Sequence, residues 1–213
     1  MINNFYSSVN NQVEKLQFSD GSTFNLSTQG LTLTQNNGDE NINGTGYNDV
    51  IYGNGGHDTI NAGDGNDTIV GGIGNDNLSG GNGDDTYIYN LGDGLDFITE
   101  TGGSDKIVFG EGISQSDLSF EQIGNNLKIS INGNEVKGIQ INNHFQNDAS
   151  KVETIEFYDG STLDIGNADQ LIQAMNSFSS SNSASTDTLS EPIQDVGDMY
   201  NLAVNNELAR KTA

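Results

Sequence analysis

Gly44–Ile88 reads GTGYNDVIY GNGGHDTIN AGDGNDTIV GGIGNDNLS GGNGDDTYI, five consecutive units of nine residues. Each unit has an aspartate at position six (Asp49, Asp58, Asp67, Asp76, Asp85) and an apolar residue at position eight (Ile51, Ile60, Ile69, Leu78, Tyr87). Two residues are then inserted, after which Asp96 with Ile98 and Asp105 with Ile107 resume the spacing. Glu40 with Ile42 reads as a degenerate unit ahead of the first. A short fixed period marks a stacked architecture, in which each repeat buries its apolar side only against its neighbours.

A nine-residue unit divides into a six-residue turn and a three-residue strand whose inward side chain is position eight. Two units therefore complete one turn of a flattened coil, and residues 18 apart stack. Glycine at positions one, two and four supplies the positive-φ conformations of a tight turn. The register places Asp49 over Asp67 over Asp85 on one edge and Asp58 over Asp76 on the other, about 4.8 Å apart. Two carboxylates at that distance repel by about 0.9 kcal/mol even at the dielectric of water, and by several times that in a protein. A divalent cation between them turns repulsion into attraction. One Gly-Asn-Asp turn alone would be an ordinary turn; five in register carry the metal reading. The donors are carboxylate and carbonyl oxygens, with no cysteine and with His57 only at a variable turn position, which disfavours zinc and copper. Calcium accepts six to eight such oxygens in flexible geometry, whereas magnesium dehydrates reluctantly.

Composition fits this reading. The chain of 213 residues has 30 acidic and 7 basic side chains, a net charge of −23, and no Lys or Arg between Lys15 and Lys106. Acidic stretches are ordinarily solvated faces or disordered tails, and a nucleic-acid partner is disfavoured because phosphates require a basic surface. Only 32 % of residues are hydrophobic, so the core is thin and the cost of ordering the chain is not matched by apolar burial. Metal binding energy is then folding energy, and the metal-free roll is expected to be mostly unfolded. No disulfide is available. No apolar run reaches the length of a membrane span, and Met1–Asn11 lacks the features of a cleaved signal peptide, so any export signal is expected elsewhere.

The chain is modular. Val13–Leu26, VEKLQFSDGSTFNL, recurs as Val152–Ile165, VETIEFYDGSTLDI, with half of the positions identical, and both copies read as strand, Asp-Gly turn, strand. Ile107–Phe109, Leu127–Ile131 and Gly138–Ile141 read as further strands, and Ala168–Met175 as a short helix with Asn167 as its N-cap. The expected fold is all-β, a parallel β-roll flanked by a capping β region. The expected division is 1–35, the tail of a preceding module; 36–109, the roll; 110–176, the cap; 177–190, a Ser-rich linker; and 191–213, a weakly helical tail with Ile193, Val196, Tyr200, Val204 and Leu208 at helical spacing.

The unit resembles the G-G-x-G-x-D-x-U-x nonapeptide of RTX proteins. Phe109–Leu118, Asn142–Phe145 and Asp159–Thr162 resemble the haemolysin-type calcium-binding-related region that caps such rolls. The departures are Tyr47 at position four of the first unit and Ala62 at position one of the third. The resemblance implies several calcium ions between stacked turns, held by the position-six aspartates of both turns and by carbonyls from positions one to four. Carried over, Asp49/Asp67, Asp67/Asp85 and Asp58/Asp76 form sites, with Asp76/Asp96 and Asp85/Asp105 as two more across the insertion. Gly63, Gly65, Gly72, Gly74, Gly81 and Gly83, at positions two and four, are candidate carbonyl donors, although the sequence does not apportion the carbonyls. It further implies a secreted or cell-surface bacterial protein, exported unfolded by a type I ABC-transporter apparatus that reads an uncleaved C-terminal signal, here Glu191–Ala213.

The chain is not expected to be an enzyme itself. It has only His57 and His144, no H-E-x-x-H pair and no G-x-S-x-G elbow. The alternatives are a calcium-stiffened segment of a large surface adhesin, or the C-terminal part of an RTX toxin or exoenzyme whose upstream domains meet a host surface or membrane target.

Overall fold

The computed structural model describes residues 2–7, 13–18, 23–25, 30–168, 170 and 172. β1 (Ile2–Ser7), β2 (Val13–Phe18) and β3 (Thr23–Asn25) form an antiparallel sheet in which Leu16 pairs with Phe24. From Thr32 the chain alternates between two sheets. β4 (Thr32–Thr34), β5 (Asn41–Asn43), β6 (Val50–Gly55), β7 (Thr59–Asp64), β8 (Thr68–Ile73), β9 (Asn77–Asn82), β10 (Thr86–Tyr89), β11 (Leu95–Thr99) and β12 (Lys106–Phe109) are laid down in turn on opposite sides of a flattened coil. Even-numbered strands make one parallel ladder and odd-numbered strands the other.

The register is the expected one. Ile51 pairs with Ile69 and Ile69 with Tyr87 in one sheet; Ile42 pairs with Ile60 and Ile60 with Leu78 in the other. Across the two-residue insertion the partners become Tyr87 with Ile107 and Leu78 with Ile98. These position-eight side chains are buried in a narrow strip between the sheets. β6 to β9 are longer than the expected three residues, because positions one to three of the following unit keep pairing with the rung alongside. Asn54 lies beside Gly72, and Gly63 beside Gly81. Each backbone thereby satisfies polar groups on the neighbouring rung even where position two turns to positive φ, as at Asn54 and Gly63. The stack also begins one rung before Glu40: Leu33 pairs with Ile51, with Leu31 where the later units carry aspartate.

The cap continues both ladders. It contains β13 (Leu118–Ile123), β14 (Asn126–Ile131), β15 (Asn134–Ile141), β16 (Thr154–Glu156) and β17 (Thr162–Asp164). β15 lies parallel on β11, with Ile141 beside Ile98, and β16 lies parallel on β12, with Ile155 beside Ile107. β14 and β17 then turn back antiparallel. The core widens here from a file of isoleucines to a true interior: Leu127, Ile129, Ile139, Ile141, Val152, Ile155 and Ile165 are buried, and Phe109 stands between the rings of Tyr89 and Phe157. In β16 and β17, Ile155 pairs with Leu163, the counterpart of Leu16 with Phe24, so the sequence duplication is also a duplication of strand pairing. Of the helix expected over 168–175, Ala168, Gln170 and Ile172 are helical; the rest of it, the Ser-rich stretch 177–190 and the segment 191–213 lie outside the described residues.

Candidate metal centre

Each rung's bend carries its aspartate inward, and the result is two columns of carboxylates running along the edges of the roll. Asp49, Asp67, Asp85 and Asp105 form one column, and Asp58, Asp76 and Asp96 the other; all seven are buried. One carboxylate oxygen of each is spoken for by the backbone. The amide of Asp49 donates to Oδ1 of Asp67 at 2.7 Å, Asp67 to Asp85 at 2.8 Å, and Asp85 to Asp105 at 2.8 Å. In the other column Asp58 donates to Asp76 at 2.8 Å and Asp76 to Asp96 at 3.0 Å. The degenerate unit keeps the pattern, with the Glu40 amide donating to Asp58 at 2.9 Å.

The second oxygen is different. Oδ2 of Asp58, Asp67, Asp76, Asp85 and Asp105 is buried and has no hydrogen-bond partner among the described residues. A buried, unpaired carboxylate oxygen is expensive, and a rank of them at regular intervals fits a cation as the missing partner. Position-one glycines leave room for it. A β-carbon on Gly53 would stand 2.3 Å from Asp58 Oδ2 and 2.4 Å from the Gly71 carbonyl oxygen; one on Gly44 would stand 2.2 Å from the Ala62 carbonyl and 2.6 Å from Asp49 Oδ2. Carboxylate and next-rung carbonyl thus border one small, side-chain-free space, a hard-oxygen donor set.

The glycines singled out at positions two and four serve the stacking. Gly63, Gly65, Gly72, Gly74, Gly81 and Gly83 all have positive φ. A β-carbon on Gly81 would come within 1.9 Å of the Gly63 carbonyl oxygen, and one on Gly83 within 2.1 Å of the Gly65 carbonyl oxygen. Asp49 differs from its column-mates because Thr45 already answers it. The Thr45 amide donates to Oδ2 at 2.5 Å and its hydroxyl lies 3.0 Å away. His57 is occupied in the turn, where its Nδ1 accepts the Asn75 amide at 2.9 Å.

Removal from water, opposed by the backbone hydrogen bonds and reinforced by neighbouring aspartates, pushes Asp67 and Asp76 up to about 6, Asp85 to about 7 and Asp96 to about 8. Asp105 rises to about 6, again by desolvation, with Glu153 and Asp84 adding to it. Without a cation these carboxylates keep their protons to higher pH than an exposed aspartate does.

Two acidic residues of the columns are not marked by the repeat. Glu153 extends the first column into the cap, its Oε2 accepting the Asp105 amide at 2.7 Å. Its signal was the pairing of Ile155 with Ile107, two residues after each acid. Glu100 occupies position one of the Asp105 unit, five residues before that aspartate.

The same stretch of chain carries the match to known sequences: residues 34–69 and 61–96 fit the RTX calcium-binding nonapeptide repeat, a model of four copies. The chain carries RTX calcium-binding repeats. Residues 1–28 and 126–167 match the haemolysin-type calcium binding protein related domain, so the RTX roll is flanked on both sides by segments of one domain type. The iron-regulated protein FrpA of Neisseria meningitidis serogroup C is 32 % identical over 95 residues. That match covers 41 % of this chain and only 8 % of FrpA.

Proposed function

We propose that this chain is the calcium-responsive module of a secreted bacterial protein, unfolded during type I export and folded by external calcium. The observation that carries the reading is the rank of buried, unpartnered Oδ2 atoms along both columns. Asp49, Asp58, Asp67, Asp76, Asp85, Asp96 and Asp105 would supply the carboxylates. Carbonyls of the turns, including those of Gly63, Gly65, Gly72, Gly74, Gly81 and Gly83, would complete the shells. Calcium then takes the place of the protons and cancels the repulsion between the stacked carboxylates, so that binding and folding are one equilibrium. In far-ultraviolet circular dichroism the chelated chain should be largely disordered and should gain β signal cooperatively with calcium, with only a weak response to magnesium. A chelated chain already rich in β-structure and indifferent to calcium would refute the proposal.

Export is tied to Glu191–Ala213, set apart by the Ser-rich stretch. Deleting these residues should abolish secretion in a type I system while calcium-induced folding persists; undiminished secretion would place the signal elsewhere. A second reading, a segment of a long surface adhesin stiffened by calcium, is supported by the shared register of β2–β3 and β16–β17, which fits cap units recurring along one protein. On either reading the roll acts as a structural binding module, and any catalytic, toxic or adhesive activity belongs to other parts of the protein.

A further inference from the structure

The last rung of the first column departs from the repeat. Its position-one residue is Glu100, where the preceding rungs of the column carry Gly44, Ala62 and Gly80, and Glu100 is buried. Its Oε1 accepts the hydroxyl of Tyr87, which in turn accepts the Gly80 amide at 2.6 Å; its Oε2 lies 3.3 Å from the Thr101 amide. This side chain is therefore fixed from both ends and turned into the roll. A β-carbon on Gly80 would stand 2.1 Å from Asp85 Oδ2 and 2.7 Å from Glu100 Oε1, so the two carboxylates border the same space. Oxygens of Asp85, Glu100 and Asp105 lie within 4.8 Å of one another, and Oδ2 of both aspartates is buried without a hydrogen-bond partner among the described residues.

We propose that Asp85, Glu100 and Asp105 form a three-carboxylate cation site, tighter than the two-aspartate sites of the roll and filled before them. The inference rests on the calcium reading of the repeats. Elsewhere the position-one residue brings only a neutral carbonyl to the cation. Here it adds a full negative charge inside a low-dielectric interior, and the affinity of calcium sites follows the charge count and rigidity of their ligands. Three negative charges also balance a trivalent lanthanide, which gives the site an optical probe. Tyr87, hydrogen-bonded to Glu100, sits where excitation of its ring passes directly to a bound terbium ion.

The full chain, stripped of metal, is titrated with calcium by calorimetry and with terbium by tyrosine-sensitised emission. The first equivalent of terbium should light up, and Tyr87→Phe should remove most of that emission. Glu100→Gly, which gives this rung the residue found at Gly44 and Gly80, should weaken the first equivalent by about tenfold or more and leave the later ones in place. If Glu100→Gly does not fold with calcium, Glu100→Gln, which keeps a hydrogen-bond acceptor for Tyr87, carries the same expectation. First-equivalent emission that survives Tyr87→Phe, or a first equivalent unmoved by the Glu100 substitution that folds, overturns the proposal. Calcium uptake by the wild-type chain into equivalent sites overturns this inference alone, whereas no uptake at all overturns the calcium reading beneath it.

Discussion

Asp67 and Asp49 share a column but not a role. Asp67 accepts the amide of Asp49, donates to Asp85 and keeps an unpartnered Oδ2, so it borders the space above and the space below. Asp49 is at the end, its carboxylate is answered by Thr45, and the residue stacked before it is Leu31, whose amide donates to Asp49. Asp67→Ala should therefore lower both calcium stoichiometry and the steepness of calcium-induced folding more than Asp49→Ala does, read by calorimetric titration with circular dichroism. Equal effects, or a worse outcome for Asp49→Ala, would contradict the 18-residue coupling. At this scale the aspartates were legible because the period repeats them. Thr45, Glu100 and Glu153 were not, since each matters through what stacks against it: Glu153 reaches Asp105 across 48 residues of chain.

The rungs of the roll stand or fall on close backbone approach. Gly81 has φ of 108° and would put a β-carbon 1.9 Å from the Gly63 carbonyl oxygen, a contact that cannot be relieved by moving a side chain. Gly46, in the bend after β5, would meet nothing within 4 Å among the described residues. Gly81→Ala should cost about 3 kcal/mol or more of the calcium-bound fold, from strain and clash together, whereas Gly46→Ala should cost well under 1 kcal/mol. Chemical denaturation at saturating calcium measures both. The strands themselves were readable from position eight, and the cap hairpin from its duplicate. The length of the strands was not, because pairing through positions one to three is imposed by the rung alongside. The first rung was hidden too: with Leu31 in the aspartate slot, β4 carries no repeat signature, and only its pairing with β6 reveals it.

Across the whole molecule the columns make calcium and protons competitors. The carboxylates of Asp67, Asp76, Asp85, Asp96 and Asp105 are raised in the folded, metal-free state to values between about 6 and about 8, above the usual carboxylate value in an unfolded chain. The metal-free fold therefore binds more protons than the unfolded chain from about pH 4 to about pH 8, and its stability falls as pH rises through that window. The calcium-bound fold behaves in the opposite sense, because the cation needs the carboxylates ionised. Lowering the pH from 8 to 5 should shift the calcium midpoint of folding to higher concentration, and calcium binding near pH 7 should release protons. Circular dichroism titrations at several pH values and calorimetry in buffers of different ionisation enthalpy read the two effects. A midpoint that stays fixed or falls on acidification would contradict the assignment of the columns.

The coil's 18-residue closure imposes an arithmetic on the length of the protein. Adding or removing two units lengthens or shortens the rod by one rung and returns the chain to the same sheet, so both ends are met as before. Adding or removing a single unit changes the parity: the chain would then enter on the opposite face relative to the cap, with the two acidic columns exchanged. The two-residue insertion after Ile88 does neither, since it is absorbed in a bend and the rungs on either side stay paired, Tyr87 with Ile107 and Leu78 with Ile98. Length in this molecule is thus counted in pairs, and a loop may grow while the number of rungs stays whole.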